Sequence, residues 1–166
     1  MIIPDRVIIC GITVDVKMDD YKYSDNDGIL GGSYYNVSKT IFIYREAYIR
    51  KDNKLEHVIY STETMINTFY HEYFHAMCRS AGYFLDEDDN VHTELNANLF
   101  ANIVMVQGNG CDLIAILEEF KTIVTNINEQ DYRKLEYMVK HTKFEFDNLQ
   151  HIDEDSEIVD DTNIAD

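Results

Sequence analysis

The chain has few basic residues, one proline, no tryptophan and no long apolar run. Its 166 residues include 14 basic and 31 acidic ones, which gives a formal net charge of −17. Because such a chain is repelled by phosphate backbones and anionic lipid, we expect neither nucleic acid nor a membrane surface as a partner. No apolar run approaches the roughly 20 residues of a membrane-spanning helix. The absence of tryptophan and the single proline exclude no class of protein.

Cysteine is also scarce. Cys10, Cys78 and Cys111 are odd in number and lack the spacing of a disulfide framework or of a metal site. We therefore expect free thiols that pack as small apolar groups in a reducing compartment. The N-terminus has no basic region leading into an apolar run and does not resemble a signal peptide. These features predict a cytoplasmic protein.

The remaining composition is that of a folded globular protein. Hydrophobic residues make up 45% of the chain and aromatic residues 12%, enough to build a core. The length fits one domain, which we assign to residues 1–152. Residues 153–166 carry seven acids and no base, and we expect this acidic tail to be disordered because like charges repel.

Residue patterns predict a short antiparallel or mixed sheet followed by four helices. The predicted strands cover 6–17 (bent at Gly11), 33–36 and 40–44, with a turn at 37–39 and polar loops at 19–27 and 45–57. The first predicted helix runs from Ser61 or Thr62 to Gly82, and the second from 91 to about 107. The third begins at Asp112, and the fourth begins at about Asn128 and weakens past Phe146. The fold class is therefore α+β.

The first helix contains His71-Glu72-Tyr73-Phe74-His75. Two histidines four residues apart lie within about 40° of each other on a helix, so both imidazoles can bind one metal ion. Glu72 can face the same ion. The apolar stripe of this helix lies on roughly the opposite side, which leaves the histidines to line a cleft. That stripe comprises Ile66, Phe69, Tyr70, Tyr73, Phe74 and Met77.

A catalytic zinc ion needs a third protein ligand and an open position for water. Glu94, on the second helix, is the strongest candidate, since the small residues Ala97 and Ala101 on its face let the two helices approach closely. His92 is the rival ligand, and it points about 200° away from Glu94. Asn98, one turn beyond Glu94, can hydrogen-bond a ligating histidine and set its tautomer.

These residues predict Zn²⁺ as cofactor and peptide-bond hydrolysis as the reaction. Zinc lowers the pKa of its bound water to about 7, and Glu72 takes the proton of that water as general base. A second group must stabilise the oxyanion, and the sequence leaves four candidates open: Tyr34, Tyr35, Tyr83 and His92. If the strand over 40–44 lies at a sheet edge above the cleft, it can hold an extended peptide by strand addition.

The segments 10–17, 28–34, 39–43 and 68–76 resemble small HExxH proteins of phages and mobile elements, related to the ImmA/IrrE-type metallopeptidases. Residues 94–101, Glu-Leu-Asn-Ala-Asn-Leu-Phe-Ala, resemble the glutamate-bearing helix of that family. The resemblance covers residues 6–107. It implies a minimal zincin-like, gluzincin-type fold with the ligands His71, His75 and Glu94 and with Glu72 as base. It also implies a phage or mobile-element protein in the host cytosol, where some relatives cleave a transcriptional repressor.

The sequence thus predicts a zinc-dependent metallopeptidase that acts on a protein or peptide substrate. Two alternatives stay open. The first is an acidic phage-type binding or inhibitor protein that mimics DNA or blocks a host factor. The second is a pseudoenzyme in which zinc is structural.

Overall fold

A computed structural model describes residues 2–24, 31–52, 54–80, 94–108, 112–124 and 127–146. They form a six-stranded mixed sheet and four helices, which confirms the α+β class. The strands are β1 (Arg6–Ile9), β2 (Ile12–Ser24), β3 (Gly32–Tyr35), β4 (Thr40–Lys51), β5 (Lys54–Ile59) and β6 (Thr142–Glu145). The helices are α1 (Thr62–Ser80), α2 (Glu94–Gln107), α3 (Leu113–Ile123) and α4 (Glu129–Lys140). None of these helices is long and apolar enough to cross a membrane.

The sheet has the order β3-β4-β2-β1-β6, and β5 pairs with the later half of β4. β2 and β4 are parallel, and every other described pair is antiparallel. The acidic tail and the domain boundary at residue 152 lie outside the described residues.

The prediction of one bent strand over 6–17 is wrong, because the chain reverses fully at its centre. Cys10 and Gly11 have φ angles of 50° and 82°, and the strands on either side are in register with Ile9 opposite Ile12. A two-residue loop with both φ angles positive matches the right-handed twist of a hairpin. Glycine at the second loop position tolerates that geometry without strain.

The loop predictions over 19–27 and 45–57 are wrong within the described residues. β2 continues to Ser24, β4 continues to Lys51, and β5 pairs back on β4 with Lys54 opposite Lys51. Polar residues stabilise this hairpin through cross-strand contacts, which a search for apolar alternation does not detect. His57, for example, lies 2.5 Å from Glu46 and stacks on Tyr48 at 4.5 Å between ring centroids.

The first part of β4, Thr40–Ile43, does not lie at a sheet edge. It pairs with β2 on one side and with β3 on the other. The hypothesis that the strand over 40–44 receives an extended peptide is therefore wrong. β3 occupies the edge position instead, since the described part of the chain provides no strand on its outer side.

The prediction for α1 is confirmed at its start. The Ser61 hydroxyl accepts a hydrogen bond from the Thr64 backbone N–H at 3.1 Å, as an N-cap should. The predicted stop at Gly82 lies outside the described residues. Five of the six predicted core residues are buried, and Tyr70 is half-buried and packs against the core. The helix rests on a sheet face whose aliphatic residues are almost fully buried: Val7, Ile9, Val14, Ile41 and Ile43.

Two C-terminal helices form as expected. Asp112 caps α3 and Asn128 caps α4 through side-chain oxygens that accept backbone N–H groups at 2.9 Å. The apolar residues that recur at helical spacing along α4 are all buried: Tyr132, Leu135, Met138 and Val139. Ile123, at the last turn of α3, is 51% exposed.

The final strand was not predicted. The fourth helix was expected to weaken past Phe146, but it ends at Lys140, and β6 then pairs antiparallel with β1. This pairing joins residues more than 130 positions apart, so the local pattern gives no signal of it. The Tyr73 hydroxyl of α1 anchors the same region by donating a hydrogen bond to Thr142 Oγ1 at 2.9 Å.

The cysteines differ in their burial. Cys78 is fully buried, as expected for a small apolar group. Cys10 is exposed because it lies in the turn between β1 and β2, so its core assignment is wrong. Cys111 lies outside the described residues.

Candidate metal centre

α1 and α2 run antiparallel and are joined by polar contacts at three successive turns. We call these contacts the polar ladder. They are Asn67 Nδ2 to Asn102 Oδ1 at 3.1 Å, His71 Nδ1 to Asn98 Oδ1 at 2.9 Å, and His75 Nε2 to Glu94 Oε1 at 3.1 Å. The partners are spaced four residues apart on both helices, so each contact lies one turn from the next.

Small residues let the two helices pack this closely. Ala97 and Ala101 are completely buried, which agrees with the prediction that they face α1. The polar ladder lies beside this apolar contact. The packing therefore brings the first described residue of α2, Glu94, beside His75.

Three ligand residues converge at the end of the ladder. The Nε2 atoms of His71 and His75 are 3.0 Å apart, His71 Nε2 lies 3.1 Å from Glu94 Oε2, and His75 Nε2 lies 3.1 Å from Glu94 Oε1. Ligand atoms of a tetrahedral zinc ion with bonds of 2.0–2.1 Å are about 3.3 Å apart. The separations are therefore close to those of three ligands around one ion. Among the described residues, this is the one cluster of histidine, cysteine and acidic side chains that could hold a metal.

Asn98 selects the tautomer of His71. Its Oδ1 atom can only accept a hydrogen bond, so Nδ1 of the imidazole must carry the proton. In the neutral ring, Nε2 then presents a lone pair towards the other two ligand atoms. This is the arrangement that orients histidine ligands in metal sites.

The three ligand residues differ in their exposure. The side chains of His71 and His75 are 14% and 11% exposed, whereas that of Glu94 is 78% exposed. Every residue from Glu72 to Cys78 is buried, so α1 is covered on more sides than one apolar stripe predicts. The histidines are thus sheltered within the fold, whereas the Glu94 carboxylate is largely exposed.

β3 covers α1 beside the histidine face. A Cβ atom at Gly32 would lie 2.6 Å from both Thr68 Cγ2 and the Phe42 carbonyl oxygen, and one at Gly31 would lie 2.7 Å from Thr68 Oγ1. Only glycine permits this approach. Thr68 lies one turn before His71, so β3 and α2 flank the histidine row on opposite sides.

The structure distinguishes between Tyr34 and Tyr35, two of the four candidates for stabilising the oxyanion. Tyr34 shares the α1-facing side of β3 with Gly32, because side chains alternate along a strand. Burial raises the pKa of Tyr34, and its hydroxyl donates a hydrogen bond to Asn36 Oδ1 at 3.3 Å. Tyr35 points to the other face of the sheet and is 48% exposed, which removes it as a candidate. Tyr83 and His92 lie outside the described residues.

Glu72 follows His71 on α1 and is 7% exposed. Two neighbouring features of the site were not predicted from the sequence: the Asn67–Asn102 contact and the glycine contact of β3 with α1. The first had a visible signal, since Asn67, His71 and His75 repeat at four residues on α1. The glycine contact had no visible signal in the sequence, because the pair Gly31-Gly32 has the pattern of an ordinary turn.

Comparison of the chain with protein-family models, with curated proteins and with solved structures found no match. The resemblance to ImmA/IrrE-type metallopeptidases therefore stays a prediction that rests on the motif residues.

Proposed function

We propose that the protein is a zinc-dependent metallopeptidase whose ligands are His71, His75 and Glu94. The observation that carries this proposal is the convergence of two imidazole nitrogens and one carboxylate on a single point. Two imidazoles and one carboxylate are the ligand set of catalytic zinc in peptidases. When bound, zinc would polarise the scissile carbonyl and acidify a water molecule.

The chain's own residues then have distinct tasks. Glu72 accepts the proton of the attacking water and returns it to the leaving nitrogen. Glu72 is 7% exposed, so this proton transfer would take place away from bulk water. Asn98 keeps His71 in the tautomer that can bind the ion. Tyr34 is the described candidate for donating a hydrogen bond to the oxyanion.

The ligand count supports a catalytic rather than a structural ion. Structural zinc is held by four protein ligands, whereas catalytic zinc keeps one position for water. In the part of the chain that the structure describes, three residues form the cluster, and the third of them is largely exposed. A peptide would approach the cluster from the side of this exposed carboxylate.

The position of β3 suits a protein or peptide substrate. In the described part of the chain, β3 is a sheet edge, and it lies against α1 at Gly32. An edge strand can bind an extended peptide through main-chain hydrogen bonds, so β3 takes the role first expected of the strand over 40–44. A location in the host cytosol remains a prediction.

The test compares Glu72→Gln with wild type after both are loaded with one equivalent of zinc. Each is incubated with a diverse peptide mixture, and cleavage is followed by mass spectrometry. We expect wild type to cut and Glu72→Gln to bind zinc but to lose at least about 100-fold in rate, as expected when a general base is removed. Glu118→Gln, an exposed glutamate of α3, makes the same charge change and should cut like wild type.

Equal cleavage by Glu72→Gln and wild type would refute the proposal. If Glu72→Gln also kept its full biological effect and formed a salt-sensitive complex with a basic protein, the acidic binding protein would be the better description.

A further inference from the structure

Arg79 extends the row of residues that begins with the two histidines. His71, His75 and Arg79 are spaced four residues apart on α1. Arg79 is therefore about 6 Å further along the helix axis than His75 and only about 40° round from it. Arg79 therefore lies one turn beyond His75 on the same side of α1, towards the C-terminal end of the helix.

Arg79 is half-buried and makes no ion pair or hydrogen bond with any residue that the structure describes. Other described arginines are paired with carboxylates: Arg6 with Glu145, Arg45 with Asp20 and Arg133 with Glu129. In a chain with 31 acidic residues, a half-buried arginine that pairs with none of the described carboxylates is unexpected. Desolvation of a cation is unfavourable unless an anion compensates for it.

Two further polar groups lie on the β3 side. Tyr34 faces α1, and the charge of Arg79 acts on its hydroxyl, lowering a pKa that burial raises. Asn36 Oδ1 accepts hydrogen bonds from both the Tyr34 hydroxyl at 3.3 Å and Lys39 Nζ at 2.6 Å. Lys39 has no carboxylate partner in the described part of the chain. The two cations Arg79 and Lys39 therefore both lie near the Tyr34 hydroxyl.

The overall negative charge of the chain does not cancel the local positive charge of Arg79 and Lys39. The Debye length at physiological ionic strength is about 8 Å, so acidic groups further away are largely screened. A planar guanidinium binds a carboxylate through two parallel hydrogen bonds, which are about twice as strong as neutral ones. A carboxylate is thus the ligand that fits Arg79.

We propose that Arg79, flanked by Tyr34 and Lys39, binds a carboxylate of the peptide substrate next to the metal centre. This inference rests on the proposed peptidase function and names its substrate class. The carboxylate has two sources, the C-terminus of a peptide or the side chain of an aspartate or glutamate. The first would make the protein a carboxypeptidase, and the second an endopeptidase selective for acidic residues.

The test uses three short peptide hydroxamates, whose hydroxamate group binds zinc. One ends in a free α-carboxylate, one contains an internal aspartate and ends in a carboxamide, and one is a neutral carboxamide. Their dissociation constants for the zinc-loaded protein are measured by calorimetry. We expect one of the carboxylate peptides to bind about 10- to 100-fold more tightly than the neutral one, the usual effect of a hydrogen bond to a charged group. Whichever carboxylate peptide binds more tightly identifies the source of the carboxylate that Arg79 recognises.

Arg79→Gln should abolish that preference and leave the affinity for the neutral peptide unchanged. Arg79→Lys keeps the charge but not the paired donors, so it should retain part of the preference. Arg45→Gln is the matched control, because it removes the same charge from an exposed arginine, and it should behave like wild type. Thermal unfolding of each variant verifies that it is folded.

Equal binding of all three hydroxamates, or an undiminished preference in Arg79→Gln, would overturn the inference and leave the peptidase proposal intact. If no hydroxamate bound, the metal centre itself would be in error. The carboxylate contact is then tested in the metal-free protein by NMR titration with N-acetyl dipeptides that carry the same carboxylates. A shift of the Arg79 side-chain N–H signal would support the contact, and an unchanged signal would overturn it.

Discussion

The Oδ1 atom of Asn98 lies 2.9 Å from Nδ1 of His71. Because the oxygen can only accept, it holds the proton on Nδ1 and leaves Nε2 bare in the neutral ring. That Nε2 atom is the one that meets His75 and Glu94. One amide on α2 therefore determines which nitrogen of a histidine on α1 can bind an ion.

Removing this amide should weaken metal binding without unfolding the protein. We expect Asn98→Ala to lower zinc affinity by about 10- to 100-fold, the usual effect of losing such a partner of a histidine ligand. Competition with a chromophoric chelator measures the affinity. Asn102→Ala is the control, because Asn102 contacts Asn67 rather than a histidine, and its affinity should equal that of wild type. Similar losses in both variants would mean that the whole helix contact, not the tautomer, governs binding.

The contact of β3 with α1 yields a prediction about stability. Gly31→Ala and Gly32→Ala should each destabilise the protein by about 1–3 kcal/mol through overpacking. The nearest obstacles at Gly31 are all atoms of Thr68, whereas Gly32 also meets a backbone oxygen of Phe42. Adding Thr68→Ala should therefore restore most of the lost stability for Gly31→Ala and only part of it for Gly32→Ala. Urea denaturation measures each free energy of unfolding, and equal rescue of both would contradict this packing.

Alkaline pH should destabilise the fold through Tyr73. Burial raises the pKa of this fully buried phenol well above its usual value of 10. Above pH 10 the unfolded chain loses a proton that the folded one keeps, so the free energy of unfolding falls by up to about 1.4 kcal/mol per pH unit. Below pH 10 this residue contributes no pH dependence. Urea denaturation between pH 8 and pH 11 should show a smaller slope for Tyr73→Phe than for wild type. Tyr137→Phe, which changes an exposed tyrosine, should leave the slope unchanged.

Thr142 ties the last described strand to α1. Its Oγ1 accepts from the Tyr73 hydroxyl and donates to the Met138 carbonyl oxygen at 2.8 Å. Thr142→Val removes both contacts and leaves a buried hydroxyl without its acceptor, so we expect a loss of about 1–3 kcal/mol. Thr122→Val removes one exposed hydrogen bond to the Glu119 carbonyl oxygen and should cost less than about 1 kcal/mol. Chemical denaturation compares the two variants, and losses of equal size would contradict the anchoring role.

Parts of the fold follow from the sequence where local chemistry decides the structure. Ser61, Asp112 and Asn128 cap their helices as expected, and apolar spacing identifies the buried face of α4. The errors arise where pairing between distant segments of the chain determines the structure. β5 consists largely of exposed residues, and β6 pairs with β1 at the opposite end of the chain. Neither strand has the alternating apolar pattern from which a strand can be recognised locally.

The candidate site was more accessible to sequence reasoning than the sheet. Helical periodicity alone puts His71 and His75 on one face, and the small residues Ala97 and Ala101 indicate a close helix contact. Those features are enough to bring Glu94 within reach, and the structure places the three side chains together. Helical periodicity does not reveal β3, because the strand reaches α1 through the tertiary fold. The position of Tyr34 could not be foreseen for the same reason.

Zinc stoichiometry tests the central proposal most directly. Protein purified without chelator is dialysed against micromolar zinc, and bound metal is counted by elemental analysis. We predict about one zinc ion per chain in wild type and nearly none in His71→Ala, His75→Ala or Glu94→Ala. His57 is exposed and far from the cluster in sequence, so the control variant His57→Ala should keep its zinc ion. No bound zinc in wild type, or a full complement in the three ligand variants, would contradict the metal centre.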